Sequence, residues 1–405
     1  MNLLRGISTL AGSSVLSQLI GALSLWLVSH RYGMSEVGTY GLMYSMVLIG
    51  AQVSTFASQL LIPRQTAETL GQNVAFCLLQ SLLLALPYAL LCAWLFQRSP
   101  LQLYLLTWSY ALVLIAENLC LRDGHYRALA LQRLAMSGVV VAALLLTRSP
   151  AQFYWGWTLA MLLLMLICLL CRLRHQRLTR RQLAPAANLA FARAHWRHLS
   201  RVGSAEVLAM ANNNLPIILI NFWFSSLTAG YFAIVSRFCL APVMIAGNAV
   251  RSAIFSRWSA DFRQRRFNAA EYRRIRLLLL GLGGAAVLGV ATLYPPVMHL
   301  GLGHGWADSI PTSRYMLPYL FAALAISPLT VIELIFGSHA YFLRIQLDQL
   351  AIILLALLAL PALGPGYGVS LLLFSSLTLL RYGFIFRRMN RRAQQLRQRG
   401  VTPCA

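Results

Sequence analysis

The 405-residue sequence predicts an all-α polytopic membrane protein of about twelve transmembrane helices, in two pseudo-symmetric six-helix lobes around a central cavity. Three observations carry that expectation. The chain is 59% hydrophobic and only 11% charged, whereas about a quarter of a soluble domain is charged. Its apolar residues gather in uncharged runs of about 20, each long enough to cross a hydrocarbon core of about 30 Å as a helix. A faint internal repeat has a period close to half the chain. A soluble enzyme is excluded on the first two counts.

Reading runs between charges places the spans at 7–28, 37–62, 74–96, 101–121, 129–147 and 151–171 in the first half, and at 202–224, 227–255, 277–298, 315–336, 341–361 and 367–386 in the second. The first is longer than a secretory h-region, with no small-residue cleavage site before His30, so it is kept as a span. Arg133, Arg237, Arg251, Arg344 and Asp348 interrupt or flank the fifth, eighth and eleventh.

The formal charge is +24, from 34 basic and 10 acidic residues, and all 34 are Arg. Nucleic acid, an anionic membrane or a phosphate ligand could each account for it, and position decides. With a cytoplasmic N-terminus, 26 of the 34 fall on the cytoplasmic side, and only Arg31, Arg98, Arg148 and Arg314 fall opposite. Such a bias in short loops sets orientation and favours an even number of spans with both termini inside. No nucleic acid is needed. The missing Lys is what a GC-rich genome would write.

The organisation expected is an N-terminal lobe (1–171), a basic interfacial linker (172–201), a C-terminal lobe (202–386) and a basic cytoplasmic tail (387–405). In the linker Leu189, Phe191, Trp196 and Leu199 alternate with Arg193, His195, Arg197 and His198, a pattern suited to a helix in the headgroup layer. Residues 257–276 read likewise, with Trp258, Phe262, Phe267 and Tyr272 among seven Arg. The longest external loop, 299–313, is too short for a catalytic domain.

A shift of 191 residues superposes Gly12-Ser13 on Gly203-Ser204, Ser35 on Ser226, Tyr40 on Tyr231 and Ser45 on Ser236. Halves of six spans each would share one orientation, a repeat arrangement used by transporters, with substrate between them near the midplane. Here a family resemblance enters. The stretch Arg31-Tyr32-Gly33-Met34-Ser35-Glu36-Val37-Gly38-Thr39-Tyr40-Gly41-Leu42 resembles the G-x-x-x-x-G-x-Y joint between the first two spans of Wzx-type polysaccharide flippases, a branch of the multidrug, oligosaccharidyl-lipid and polysaccharide exporter superfamily. Ala229-Gly230-Tyr231 through Ser236-Arg237, then Ala241-Pro242, is similar to that family's A-G-x-Y-x-x-A-x-R…P segment. HLGLGHGWADSIPTSRYMLPYL (299–320) resembles its G-x-x-Y/W loop before the tenth span. The resemblance implies an alternating-access flippase for an undecaprenyl diphosphate-linked oligosaccharide in the bacterial inner membrane. It also implies a polysaccharide polymerase and chain-length proteins as partners.

Polar groups within a bilayer are costly and by default mark a pathway or pair with one another. Arg237 lies about ten residues into its span, beyond easy reach of an interface. It reads either as a cationic anchor for the diphosphate or as a group paired with a carbonyl or carboxylate between helices. Asn212, Asn213 and Asn214 before Pro216 predict a broken or kinked helix lining a cavity. Gln18, among Ser14, Ser17, Gly21 and Ser24, and Tyr44 with Gln52, Thr55 and Gln59 form stripes that would line the cavity or pack helices together. Tyr231, two turns before Arg237, joins the cavity candidates.

Glu117, Glu206 and Glu333, each within a turn or two of a cytoplasmic end, and Asp348 are candidates for ion coupling. Their other reading is local pairing, of Glu117 with Arg122, of Glu206 with Arg201 and of Asp348 with Arg344 four residues away. Cys168-x-x-Cys171 and His195-x-x-His198 lack a second ligand pair, so neither metal nor cofactor is expected. No P-loop or nucleophile motif is present. The competing readings are a cation-coupled multidrug exporter, which would carry deep acidic groups, a membrane polysaccharide polymerase or ligase, which would carry a large external loop, and a lipid II flippase, which the resemblance also admits but whose family usually has fourteen spans.

Overall fold

Apolar runs of this length leave the backbone no partner but itself, so they fold as helices. The structure, a computed structural model, describes residues 3–174, 180–263, 266–300, 305–336 and 339–399, and every regular element among them is helical. Parts of the expected linker (175–179), of the external loop (301–304) and of the tail (400–405, with Cys404) lie outside the described residues.

The first half holds α1 (Leu3–Tyr32), α2 (Met34–Thr55), a 3-10 segment (Ser58–Arg64), α3 (Ala67–Phe96), α4 (Pro100–Arg122), α5 (Tyr126–Leu146) and α6 (Pro150–Leu173). Short helices α7 (Arg180–Leu183), α8 (Pro185–Ala194) and α9 (Trp196–His198) lead through a π-helical turn, Leu199–Gly203, into α10 (Ser204–Trp223). Then come α11 (Ser226–Val235), a second π turn (Ser236–Leu240), α12 (Ala241–Arg263) and α13 (Ala269–His299). The last elements are α14 (Ile310–Tyr315), α15 (Leu317–Ala325), α16 (Val331–Phe336), α17 (His339–Leu354), a third π turn (Leu355–Ala359) and α18 (Tyr367–Arg399). Starts are marked as the sequence chemistry requires. Ser99 and Ser149 each accept a backbone N–H three residues on, ahead of Pro100 and Pro150. Gly33, first glycine of the G-x-x-x-x-G-x-Y stretch, turns α1 into α2 at φ 92, a conformation open to glycine.

Nine helices among the described residues are long and apolar enough to cross a membrane, or ten if α2 and its bent 3-10 continuation count as one crossing. Large apolar side chains such as Trp94, Leu146, Leu170 and Leu288 stand exposed along them, as a lipid-facing surface demands. The chain is a multi-pass membrane protein. It divides into two compact units, Met1–Ile218 and Leu219–Ala405, which part within α10. In the first unit α4 is the central helix: 72% of its apolar window is buried against 28% for α6, and it packs on α2, α3, α5 and α6. In the second, α13 and α18 pack on α15, α12 on α15 and α16, and α17 on α16 and α18.

Several expectations are corrected. The second span is not one helix: it bends by 61° between α2 and the 3-10 segment, where Phe56 and Ala57 take left-handed conformations at φ 43 and 59. The strained corner holds because its freed groups are paired. Ser54 and Thr55 hydroxyls donate to the Ala51 carbonyl at 3.0 and 2.9 Å, and the Thr55 carbonyl accepts from Ser58 Oγ at 2.6 Å and Gln80 Nε2 at 3.0 Å. The seventh span runs unbroken through Pro216 as α10, though three amides leave it less apolar than the crossing helices, and its irregularity lies earlier, at Leu199–Gly203. The tenth is divided into α15, a 3-10 turn at Ser327–Thr330 and α16, because Pro328 can donate no helical hydrogen bond.

The described residues of 257–276 are the end of α12, a short connection and the start of α13, and aromatics among them turn inward: Trp258 and Tyr272 are 1% and 4% exposed, packed with Phe267 and Phe336. The Phe262 side chain lies outside the described residues. In the linker, Phe191 is buried against Phe76 of α3 at 5.0 Å, while Leu189 and Trp196 remain exposed.

Candidate functional site

The polar stripes of the first unit occupy different surroundings. Gln52 and Gln59 are almost fully buried, and Gln52 Nε2, Gln59 Oε1, Ser17 Oγ and Gln18 Oε1 are buried without a hydrogen-bond partner among the described residues. Unpaired polar atoms in an apolar interior cost about 1–3 kcal/mol each, which keeps these groups among the candidates for a polar ligand. Tyr44 belongs to an aromatic cluster, with ring centroids 5.9 Å from Tyr110 and 6.5 Å from Trp157. Asn212 and Asn214 are buried and Asn213 is exposed, and Asn214 donates back to the Met210 carbonyl at 2.9 Å.

Glu117 does not pair with Arg122. Its Oε1 accepts from Arg133 Nε at 3.0 Å, and the same guanidinium reaches Ser14 Oγ at 3.2 Å, so one Arg on α5 ties α4 and α1 together. Arg122 pairs with Asp123 instead, at 3.2 Å. Glu206 enters no ion pair among the described residues. Below these helices, the His198 imidazole is held below its ordinary pKa, by burial first and then by the charges of Arg64 and His195, with the Ala57 carbonyl pulling the other way.

In the second unit Arg237 sits in the π turn Ser236–Leu240, between α11 and α12. Such bulges add one residue to the helical ring and re-aim a side chain, and they recur at functional sites. Arg237 is half-buried and enters no ion pair among the described residues, and its Nε and the neighbouring Ser236 Oγ are buried without an acceptor or donor there. Tyr231 donates to Asp308 Oδ2 at 3.4 Å, and the edge of Phe238 meets Trp306 at 5.5 Å. A guanidinium with an unused N–H in an apolar setting can grip a phosphate or diphosphate oxygen.

Asp348 does not pair with Arg344. It accepts from Arg381 on α18, because α17 and α18 pack side by side and bring the two together. Glu333, 4% exposed, accepts from Arg388 Nε at 3.2 Å; that guanidinium also stacks 3.6 Å from the Tyr341 ring centre, and Arg392 donates to the Phe336 carbonyl. Nothing local in the sequence marks Arg388 or Tyr341 for this role; the one signal is Glu333, an acid in an apolar run, whose cation lies 55 residues away and cannot be named from local spacing. No group of three or more His, Cys, Asp or Glu able to hold a metal occurs among the described residues. Cys168 and Cys171 are free thiols.

No protein-family model matches the chain, and no curated protein matches by sequence. Among solved structures it shares the fold of transporters of the MOP superfamily. The lipid II flippase MurJ in an inward closed conformation matches with a TM-score of 0.71 at 12% identity, over 96% of this chain and 91% of that one. A multidrug resistance MATE family transporter in an outward-facing conformation matches at 0.57 and 12% identity, over 97% and 96%. A MOP superfamily transporter from Pyrococcus furiosus matches at 0.54 and 13%, over 97% and 95%.

Proposed function

We propose that this chain is an alternating-access flippase that moves a polyprenyl (undecaprenyl) diphosphate-linked oligosaccharide across the bacterial inner membrane for surface polysaccharide synthesis. Transport rather than catalysis follows from the shared fold, and the likeness to a lipid flippase supports a lipid-linked cargo. Counting α10 and the α14 to α16 segment as crossings makes twelve, in lobes 1–171 and 202–386, with both termini cytoplasmic as the Arg bias favours. The single observation that carries the reading is Arg237: a guanidinium in a π turn, half-buried, with its Nε unpartnered among the described residues. Arg237 would hold the diphosphate, with Tyr231 nearby on the same helical run. Within the first unit, Gln18, Tyr44, Gln52, Gln59, Asn212, Asn213 and Asn214 are the candidates for sugar hydroxyls. A cargo that bound both conformations equally would shift neither, and net movement takes a gradient of the cargo or an electrical or ionic driving force.

The test is surface polymer in a strain carrying the variant. Arg237→Ala abolishes export while the protein still reaches the membrane, and Arg237→Lys restores only part, since an ammonium is a point charge without the bidentate fork. Normal surface polymer from Arg237→Ala would overturn the anchor. Export of cationic drugs with unchanged polymer would favour the multidrug reading, which calls for acidic groups deep in a lobe; Glu117 and Asp348 are each engaged by an Arg.

A further inference from the structure

A cavity of about 550 Å³ opens between α17 and the second half of α18. Arg344, Arg381, Arg388 and Asp348 line it together with the apolar Ile352 and Phe384. Three cations face one carboxylate. Asp348 answers Arg381 and Glu333 answers Arg388, which leaves Arg344 exposed and in no ion pair among the described residues. Arg381 directs one terminal nitrogen at Asp348, but its Nε is buried and meets no acceptor there. Among the described lining residues the guanidinium donors outnumber the carboxylates, which makes the cavity a cationic one. Beside the cavity the surface is apolar: Leu347, Leu355, Leu380 and Phe384 are each more than half exposed. A ligand that satisfies both ends has a phosphate head and a hydrocarbon tail.

We propose that this cavity is a binding site for an acidic phospholipid of the phosphoglycerol type. The phosphate lies between Arg344 and Arg381, the Asp348 carboxylate accepts from a glycerol hydroxyl of the head, and the first methylenes run along Ile352 and Phe384. Arg388 closes the cationic rim from over the Tyr341 ring. The volume suits one headgroup with the start of its chains and falls within the usual range of small-molecule sites, about 300–1,000 Å³. The site is separate from Arg237, and transport of a carrier-linked sugar enters none of the readouts below, so the two readings stand or fall independently.

The experiment is lipid binding to the purified full chain in detergent, read by native mass spectrometry, with phosphatidylglycerol, phosphatidylcholine, undecaprenyl diphosphate and inorganic phosphate as probes. Phosphatidylglycerol binds at least about tenfold more tightly than phosphatidylcholine. Arg344→Gln weakens it about fivefold, the worth of one interfacial Arg near an anionic lipid, without altering the melting profile, since Arg344 is exposed. Ile352→Trp fills the cavity and removes the bound lipid. Equal binding of the two phospholipids, or unchanged binding in both variants, overturns the site. Displacement of phosphatidylglycerol by undecaprenyl diphosphate at equal concentration would show the carrier as the true occupant and overturn the assignment of source. Displacement by millimolar inorganic phosphate would show that the tail contributes nothing and overturn the lipid.

Discussion

Arg388 and Glu333 form an asymmetric pair, and the asymmetry makes a sharp prediction. The Glu333 side chain is 4% exposed and the Arg388 side chain 52%, with Nε and Oε1 3.2 Å apart. Removing Arg388 strands a carboxylate in an apolar surrounding, and breaking a buried pair this way costs about 3–5 kcal/mol; half-exposure of the lost partner argues for the lower end, about 3. It also removes the stacking on Tyr341, 3.6 Å from the ring centre, worth about 0.5–1 kcal/mol at such a site. Glu333→Gln strands nothing comparable. The amide oxygen still accepts from Nε, and the guanidinium already meets solvent, so about 1 kcal/mol is lost. Arg392 keeps the Phe336 carbonyl tied in both variants, so the end of α16 is not released. Arg388→Ala should therefore be less stable than Glu333→Gln by about 2–3 kcal/mol, and the double variant Glu333→Leu with Arg388→Ala should recover most of the loss, since no charge is left buried. The measurement is reversible denaturation of the detergent-solubilised chain, followed by tryptophan emission. A Glu333→Gln variant as unstable as Arg388→Ala would refute the argument, because it would mean that the carboxylate is not the group in need.

Three further outcomes follow from the same structure. A Cβ on Gly203 would stand 2.7 Å from both the Phe56 carbonyl oxygen and its ring, so Gly203→Ala should cost about 1–3 kcal/mol as overpacking and should speed proteolysis at the bent corner of the second span. A Gly203→Ala variant as stable and protected as the parent would show that the corner gives freely. Trp258→Ala empties the centre of the cluster with Phe267, Tyr272 and Phe336 and should cost about 3–5 kcal/mol; a loss under 1 kcal/mol would mean that the charged corner is not a core. His198 has its pKa lowered by folding, so the unfolded chain takes the proton more readily. Its contribution is complete above the ordinary value of 6.5 and is lost as pH falls through that value toward the folded one. The fall in melting temperature between pH 7.5 and about 5.5 should be shallower in His198→Gln, and identical slopes would remove the histidine from the account.

What could be read in the sequence was whatever depends on neighbours along the chain. Hydropathy is summed over consecutive residues, so the positions of α1, α3 to α6, α13, α17 and α18 follow the apolar runs closely, and the Arg of the loops fall where those runs end. Gly33 and the serine caps are likewise local, as each acts within a few residues. Spacing on one helix suggested that Asp348 would meet Arg344; the folded chain gives it Arg381, 33 positions away, because packing of α17 on α18 brings a better-placed guanidinium. Glu117 turned from Arg122 to Arg133 for the same reason.

Pattern also sent the aromatics of 257–276 to the membrane surface, since arginines among aromatics look amphipathic from any direction; only the return of α13 beside α12, and Phe336 from α16, showed that a core awaited them. The break after Thr55 was hidden too, because the sequence there is apolar and what holds the left-handed corner is a carbonyl paired with Gln80 from the next helix. Local composition by itself determined that this chain lives in a membrane and where most of its helices run. Which charge answers which, which span is broken and which aromatic face is inside were decided by tertiary packing, since each depends on a partner whose distance along the chain carries no signal.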